Sequence, residues 1–280
     1  MGWTRRVAAV VVPLGLVVGA VAYGVSRHSS TDDKTLGECR TRVGPLTVVL
    51  TDEQARNASL IAAIAVRRGL PAHAATIALA TALQESKLYN LRGGDRDSLG
   101  LFQQRPSQGW GTPRQILDPI HATNAFYDAL QRVPGYQTLP VTKAAQEVQH
   151  SGFPDAYASY EGDARVLASA LTGYSPAAFW CHLPAPPDPT AGGARRPREL
   201  ETALRPAFGN VEVSVASGGV LALRAASGHR GWALASYLVA HAYRLGLAHV
   251  RFRGREWSAD STRGWQASAG RGATESVVVS

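Results

Sequence analysis

The chain has 280 residues, 45% of them hydrophobic and 18% charged, with a formal net charge of +8. That hydrophobic content excludes an intrinsically disordered chain, and the length suffices for one sizeable domain or two modest ones, each with its own core. The positive field favours polyanionic partners (nucleic acid, anionic lipid or an acidic cell-wall polymer) without choosing among them.

Arg5 and Arg6 precede an uncharged run from Val7 to Ser26. A positive flank followed by about 20 apolar residues is the pattern of a helix that crosses a bilayer. Residues 1–26 are therefore expected to be a signal anchor. The alternative is a signal peptide cleaved near Ala20-Val21-Ala22, although secretory apolar regions usually run to about 7–15 residues. Either expectation exports the body of the chain and leaves Arg5 and Arg6 on the cytoplasmic side. Residues 27–50 read as a polar linker and lead-in, with "VGPLTVVL" as a short strand or an extended approach. Cys39 and Cys181 are the two cysteines. In an exported chain they read as one disulfide closing a loop around the first domain; two buried thiols or half of a metal site are the alternatives. The lack of Cys-x-x-Cys or paired-His spacing speaks against metal.

Thr51-Asp52-Glu53-Gln54 is a capping box, and the helix it opens should run to Arg67-Arg68 and stop at Gly69. Pro71 starts the next helix, which reaches about Lys87 and is apolar around most of its circumference, as a central, buried helix is. Further helices are expected to open at Thr112-Pro113, Asp118-Pro119, Pro140 and Pro154, the last closed by Gly173. Residues 51–183 should thus form a helical domain, and residues 184–197 a Pro/Gly-rich linker. Residues 198–280 read as a small α+β domain, with a turn at Ser217-Gly218-Gly219 and strands in "HVRFRGREWSA" and "TESVVVS". The whole is expected to be mainly α. The basic charge of the C-terminal domain suits an anionic wall polymer or a protein partner, and export speaks against nucleic acid.

Chemistry concentrates in "ALQESKLYNLRGGDRDSLGLFQQRPSQGWG", from Ala82 onward. Glycosidic cleavage needs a carboxylic acid that stays protonated until it donates to the leaving oxygen, which partial desolvation achieves. Glu85, at the end of an apolar helix and on the side of Ala78 and Ala82, meets that requirement. The glycine-containing segment 93–100 turns the chain back, so that Leu101 and Phe102 pack under the acid. Gln103 and Gln104 then offer amides to sugar hydroxyls, and Trp110 offers a flat face for a sugar ring.

Glu85-Ser86, followed by Ser98-Leu99-Gly100-Leu101-Phe102-Gln103, resembles the glutamate-serine and glycine-leucine-methionine-glutamine signature of soluble lytic transglycosylases and goose-type lysozymes. Phe102 stands where methionine is commoner. The longer string from Ser98 to Tyr127 is similar to secreted or membrane-anchored actinobacterial cell-wall proteins with this domain. The resemblance covers roughly residues 50–173 and implies a lysozyme-like helical domain. It makes Glu85 the general acid and then base, Ser86 an orienting residue and Gln103 a substrate contact. The family's alanine-tyrosine-asparagine block is absent. "EVQHSGFPDAYASYEG" occupies its region, which puts Gln149 in place of the asparagine and Tyr157 as the late tyrosine. One glutamate suffices in a lytic transglycosylase, because the muramyl C6 hydroxyl attacks intramolecularly. Asp95 and Asp97 are candidates for positioning a water instead, or are ordinary turn residues. The implied activity is cleavage of the β-1,4 bond between N-acetylmuramic acid and N-acetylglucosamine, with peptidoglycan strands and the membrane as partners and no cofactor or metal. The alternative is a catalytically silent wall-binding or scaffold protein.

Overall fold

The computed structural model describes residues 37–150, 155–184, 197–216, 220–225, 227–268 and 275–280. The expected signal segment 1–26, most of the linker 184–197 and the turn at Ser217-Gly218-Gly219 lie outside the described residues.

The described chain begins with an antiparallel hairpin, β1 (Glu38–Val43) and β2 (Leu46–Thr51). Thr51 then caps α1 (Asp52–Arg67) as the sequence demands. Its hydroxyl accepts from Gln54 N at 3.3 Å, and Gln54 Oε1 accepts from Thr51 N at 2.9 Å. After a turn at Gly69, α2 (Ala72–Ser86) forms from a sequence with six alanines, the best helix former, and lies buried along nearly its whole length. Short loops lead through α3 (Pro113–Ile116), α4 (Pro119–Gln131) and α5 (Val141–Gln149). A 3-10 turn (Ala156–Tyr160) precedes α6 (Glu161–Leu171), so this helix starts seven residues later than the proline at 154 suggests. Around α2 pack α1, α4, α5 and α6, and each buried Leu, Ile or Phe there stabilises by about 1.5–3 kcal/mol.

β3 (Phe179–His182) returns to pair with β1, with Cys39 directly opposite Cys181, and the two form a disulfide. The C-terminal segment comprises α7 (Pro197–Phe208), β4 (Val213–Val215), β5 (Leu221–Arg224), α8 (Gly228–Ala240), α9 (Ala242–Leu245), β6 (His249–Phe252), β7 (Arg255–Ser258), β8 (Gln266–Ala267) and β9 (Ser276–Val279). Its strands form one antiparallel sheet in the order β4-β5-β9-β6-β7-β8, with α8 packed on one face.

The expectation of a mainly α fold does not hold. Of the described residues 48% are helical and 19% are in strands, arranged as antiparallel sheets of three and six strands. The strands run two to six residues, too short for alternation to stand out in the sequence. β1 is the clearest case: it buries only Cys39 and Thr41 between charged neighbours. Among the described residues no helix is long and apolar enough to cross a membrane, and the segment expected to do so, residues 1–26, lies outside them.

Candidate active site

Three elements converge on Glu85. It sits half-buried in the last turn of α2, where the helix dipole disfavours negative charge. The chain leaves that helix through two successive residues in the left-handed region, Lys87 (φ 55°) and Leu88 (φ 64°). Neither is glycine, so α1 must hold this turn. Gln54 Nε2 donates to the Lys87 carbonyl at 2.9 Å and Asn57 Nδ2 to the Leu88 carbonyl at 2.7 Å. The capping residue of α1 thereby also fixes the exit from the acid-bearing helix.

The loop from 90 to 104 folds back against the end of α2. Gly100 N donates to Leu91 O at 2.8 Å, and Leu99 and Gln104 exchange two backbone hydrogen bonds at 3.0 Å. Gly100 (φ +76°) admits no side chain, because a Cβ would lie 2.7 Å from the Ile116 carbonyl oxygen. In this loop Leu101 and Phe102 are fully buried, and Phe102 stacks on Phe126 with centroids 4.6 Å apart. The buried Ser86 hydroxyl lies 2.7 Å from Leu101 O and 3.0 Å from Ala82 O, which ties the loop to the helix.

The third element is the region of the missing asparagine block. Tyr157, itself buried, donates its hydroxyl to Glu85 Oε1 at 2.8 Å. The Gln149 side chain also hydrogen-bonds to the Glu85 carboxylate, and its amide reaches Phe102 O at 2.8 Å. Residues 64 and 72 positions away in sequence are thus brought onto one carboxyl group. Desolvation raises the Glu85 pKa above its ordinary value, and outweighs the hydrogen bonds from Tyr157 and Gln149 and the nearby Lys87 charge, all of which lower it. Lys87 is itself turned aside, its ammonium donating to Tyr160 Oη and lying 4.3 Å from that ring's centre.

The remaining candidates separate. Gln103 (φ 47°) is half-buried, its Nε2 donating to Gly100 O at 3.1 Å, and its amide fills the space that a side chain at Gly94 would occupy. Gln104 is buried and bonds Ala122 O at 3.2 Å, so its amide serves the packing of α4 and is not presented to a ligand. Trp110 is half-buried and lines an open cleft of about 670 Å³ together with Gln149. Asp97 braces the loop: its carboxylate accepts from Arg105 Nε at 2.7 Å, Ser107 N at 2.8 Å and Ser107 Oγ at 3.0 Å. Those bonds, the Arg105 guanidinium first, hold its pKa well below the usual carboxylate range. Asp95 is exposed to solvent beside Arg96. Gln54 was marked in the sequence only as part of a capping box, Lys87 only by adjacency to the Glu-Ser pair, and Asn57 by no signature. Neither a protein-family model nor a curated protein matches the chain.

Proposed function

We propose that this chain cleaves the β-1,4 bond between N-acetylmuramic acid and N-acetylglucosamine in peptidoglycan, with Glu85 as the proton donor. The observation that carries the reading is a desolvated carboxyl at a helix end, held by Tyr157 and Gln149 and kept above its ordinary pKa. Such a group keeps its proton to higher pH than an ordinary glutamate does and gives it to the leaving O4 oxygen as the C1–O bond breaks. The carboxylate left behind stabilises the oxocarbenium-like centre and then takes a proton from the incoming nucleophile. The muramyl C6 hydroxyl is the nucleophile we favour, giving a 1,6-anhydro end. Asp97 has its oxygens committed to Arg105 and Ser107, and Asp95 lies out in solvent, so neither is set to hold a water. The Cys39–Cys181 disulfide supports a site of action outside the reducing cytoplasm.

The test is a product assay with the purified full-length chain and its Glu85→Gln variant on peptidoglycan, with released muropeptides identified by mass. Anhydro-muropeptides from the parent alone, with a loss of about 10²–10⁴-fold or more in the variant, support the reading. Reducing-end products would make the enzyme a hydrolase. Release of nothing by either protein, with both retained on the sacculus, would replace the enzyme by a glycan-binding protein.

A further inference from the structure

The residue that touches Glu85 also faces outward. Gln149 lines the open cleft of about 670 Å³ bounded by the ends of α4 and α5 and the loop around Trp110, within the roughly 300–1,000 Å³ typical of ligand pockets. Trp110 and Gln108 come from that loop. Arg132 caps the C-terminus of α4 and Glu147 lies on α5; both are exposed, and neither is held in an ion pair among the described residues. An aromatic face, the Gln108 carboxamide, an uncommitted guanidinium and an uncommitted carboxylate on one cleft suit a particular ligand chemistry. A pyranose ring stacks on the tryptophan, hydroxyls bridge to the Gln108 amide and Glu147, and an anionic substituent meets the guanidinium in a charge-assisted pair.

We propose that this cleft is a subsite for a muramyl residue whose lactyl group carries a free carboxylate, so that the protein selects glycan strands stripped of their peptide stems. The identity of the sugar rests on the glycan-cleaving reading of Glu85. When a stem is attached, the lactyl carboxyl is an amide and Arg132 loses its partner. A neutral N-acetylglucosamine oligomer never has one.

The experiment separates binding from cleavage. Full-length Glu85→Gln protein, which leaves substrate intact, is titrated calorimetrically with three tetrasaccharides: stem-free, stem-bearing, and the neutral N-acetylglucosamine tetramer. The stem-free strand should bind about tenfold more tightly than the other two, an advantage that falls as salt rises. Arg132→Gln in the same background should erase the advantage, and Arg132→Lys should restore part of it. Because Arg132 is exposed, an unchanged melting temperature will show that the fold survives. Equal affinity for the three ligands, no binding to any, or an advantage that persists in Arg132→Gln overturns the subsite whatever the cleavage assay gives. A stem-free preference in a parent protein that releases no muropeptides would instead sink the enzymatic reading and leave the subsite standing.

Discussion

Glu85 makes opposite contributions to stability and to chemistry. Its pKa is raised, so the folded chain keeps the proton to higher pH than the unfolded chain does. The stability associated with that protonation is complete below the ordinary value of 4.5 and is lost as pH climbs through the folded-state value. Glu85→Gln removes the ionisable group while leaving an amide that still accepts from Tyr157. The variant should therefore melt at the parent's temperature near pH 3.5, and above it at pH 7 and higher, by a margin that grows and then levels off. A thermal-shift series across pH reads this directly; a variant less stable than its parent at pH 7 would mean the carboxylate is better solvated than its surroundings imply. Tyr157 tests the same balance from the other side. Its hydroxyl favours the ionised form, so Tyr157→Phe should raise the Glu85 pKa further. The alkaline limb of the pH–activity profile should move to higher pH, an effect that loss of packing alone would not produce.

At the scale of elements, the site depends on a loop whose geometry is dictated by one glycine. Gly100→Ala introduces a Cβ against the Ile116 carbonyl at a left-handed φ, a combination that costs about 1–3 kcal/mol. Chemical denaturation should show that loss. Activity should fall by more than stability alone explains, since Gly100 leads into Leu101 and Phe102, whose carbonyls accept from Ser86 and Gln149 beside the acid. This dependence is also why the site was partly legible in the sequence. Glu85, Ser86, Gly100 and the apolar pair beyond it are adjacent or at short fixed spacing, and local spacing survives in the linear string. Gln149 and Tyr157 could be placed only by where a missing motif would have stood. Gln104 looked like a ligand contact because an amide in a loop reads as polar; burial against Ala122 O, a long-range event, decides otherwise. The helices were readable from their caps and proline starts, as the Thr51 box shows. The strands β1, β3 and β8 were not: β3 pairs with β1 across more than a hundred residues, which leaves no short-range signature, and β8 is only two residues long.

At the scale of the whole molecule, the helical region and the C-terminal segment meet through buried polar contacts that neither could satisfy alone. Trp257 Nε1 donates to Cys181 O at 2.8 Å and Trp265 Nε1 to Phe179 O at 2.7 Å, so one indole on β7 and one just before β8 close onto β3 of the first sheet. Leu183 N donates to Ala259 O at 2.7 Å, and Arg67 Nη1 reaches Pro206 O at 2.6 Å. α8 packs on both α1 and α6, and α7 on α1. Residues 35–280 accordingly form one compact unit. The disulfide lies at the hub of these contacts, tying β1 to β3 across a sequence separation of 142. In the chain-entropy model, opening a loop of that length removes about 5 kcal/mol, which is comparable to the whole stability of an ordinary protein, about 5–15 kcal/mol. The double variant Cys39→Ala/Cys181→Ala should therefore melt about 10–20 °C lower. Because β3 is shared, tryptophan fluorescence, to which the C-terminal segment contributes three of the six tryptophans, and far-ultraviolet circular dichroism, dominated by the helices, should shift together. Coincident transitions in parent and variant would establish one cooperative unit. A variant in which the fluorescence transition moves and the helical one stays would show that the C-terminal segment is held on by the disulfide-anchored strand and that the helical core is stable without it.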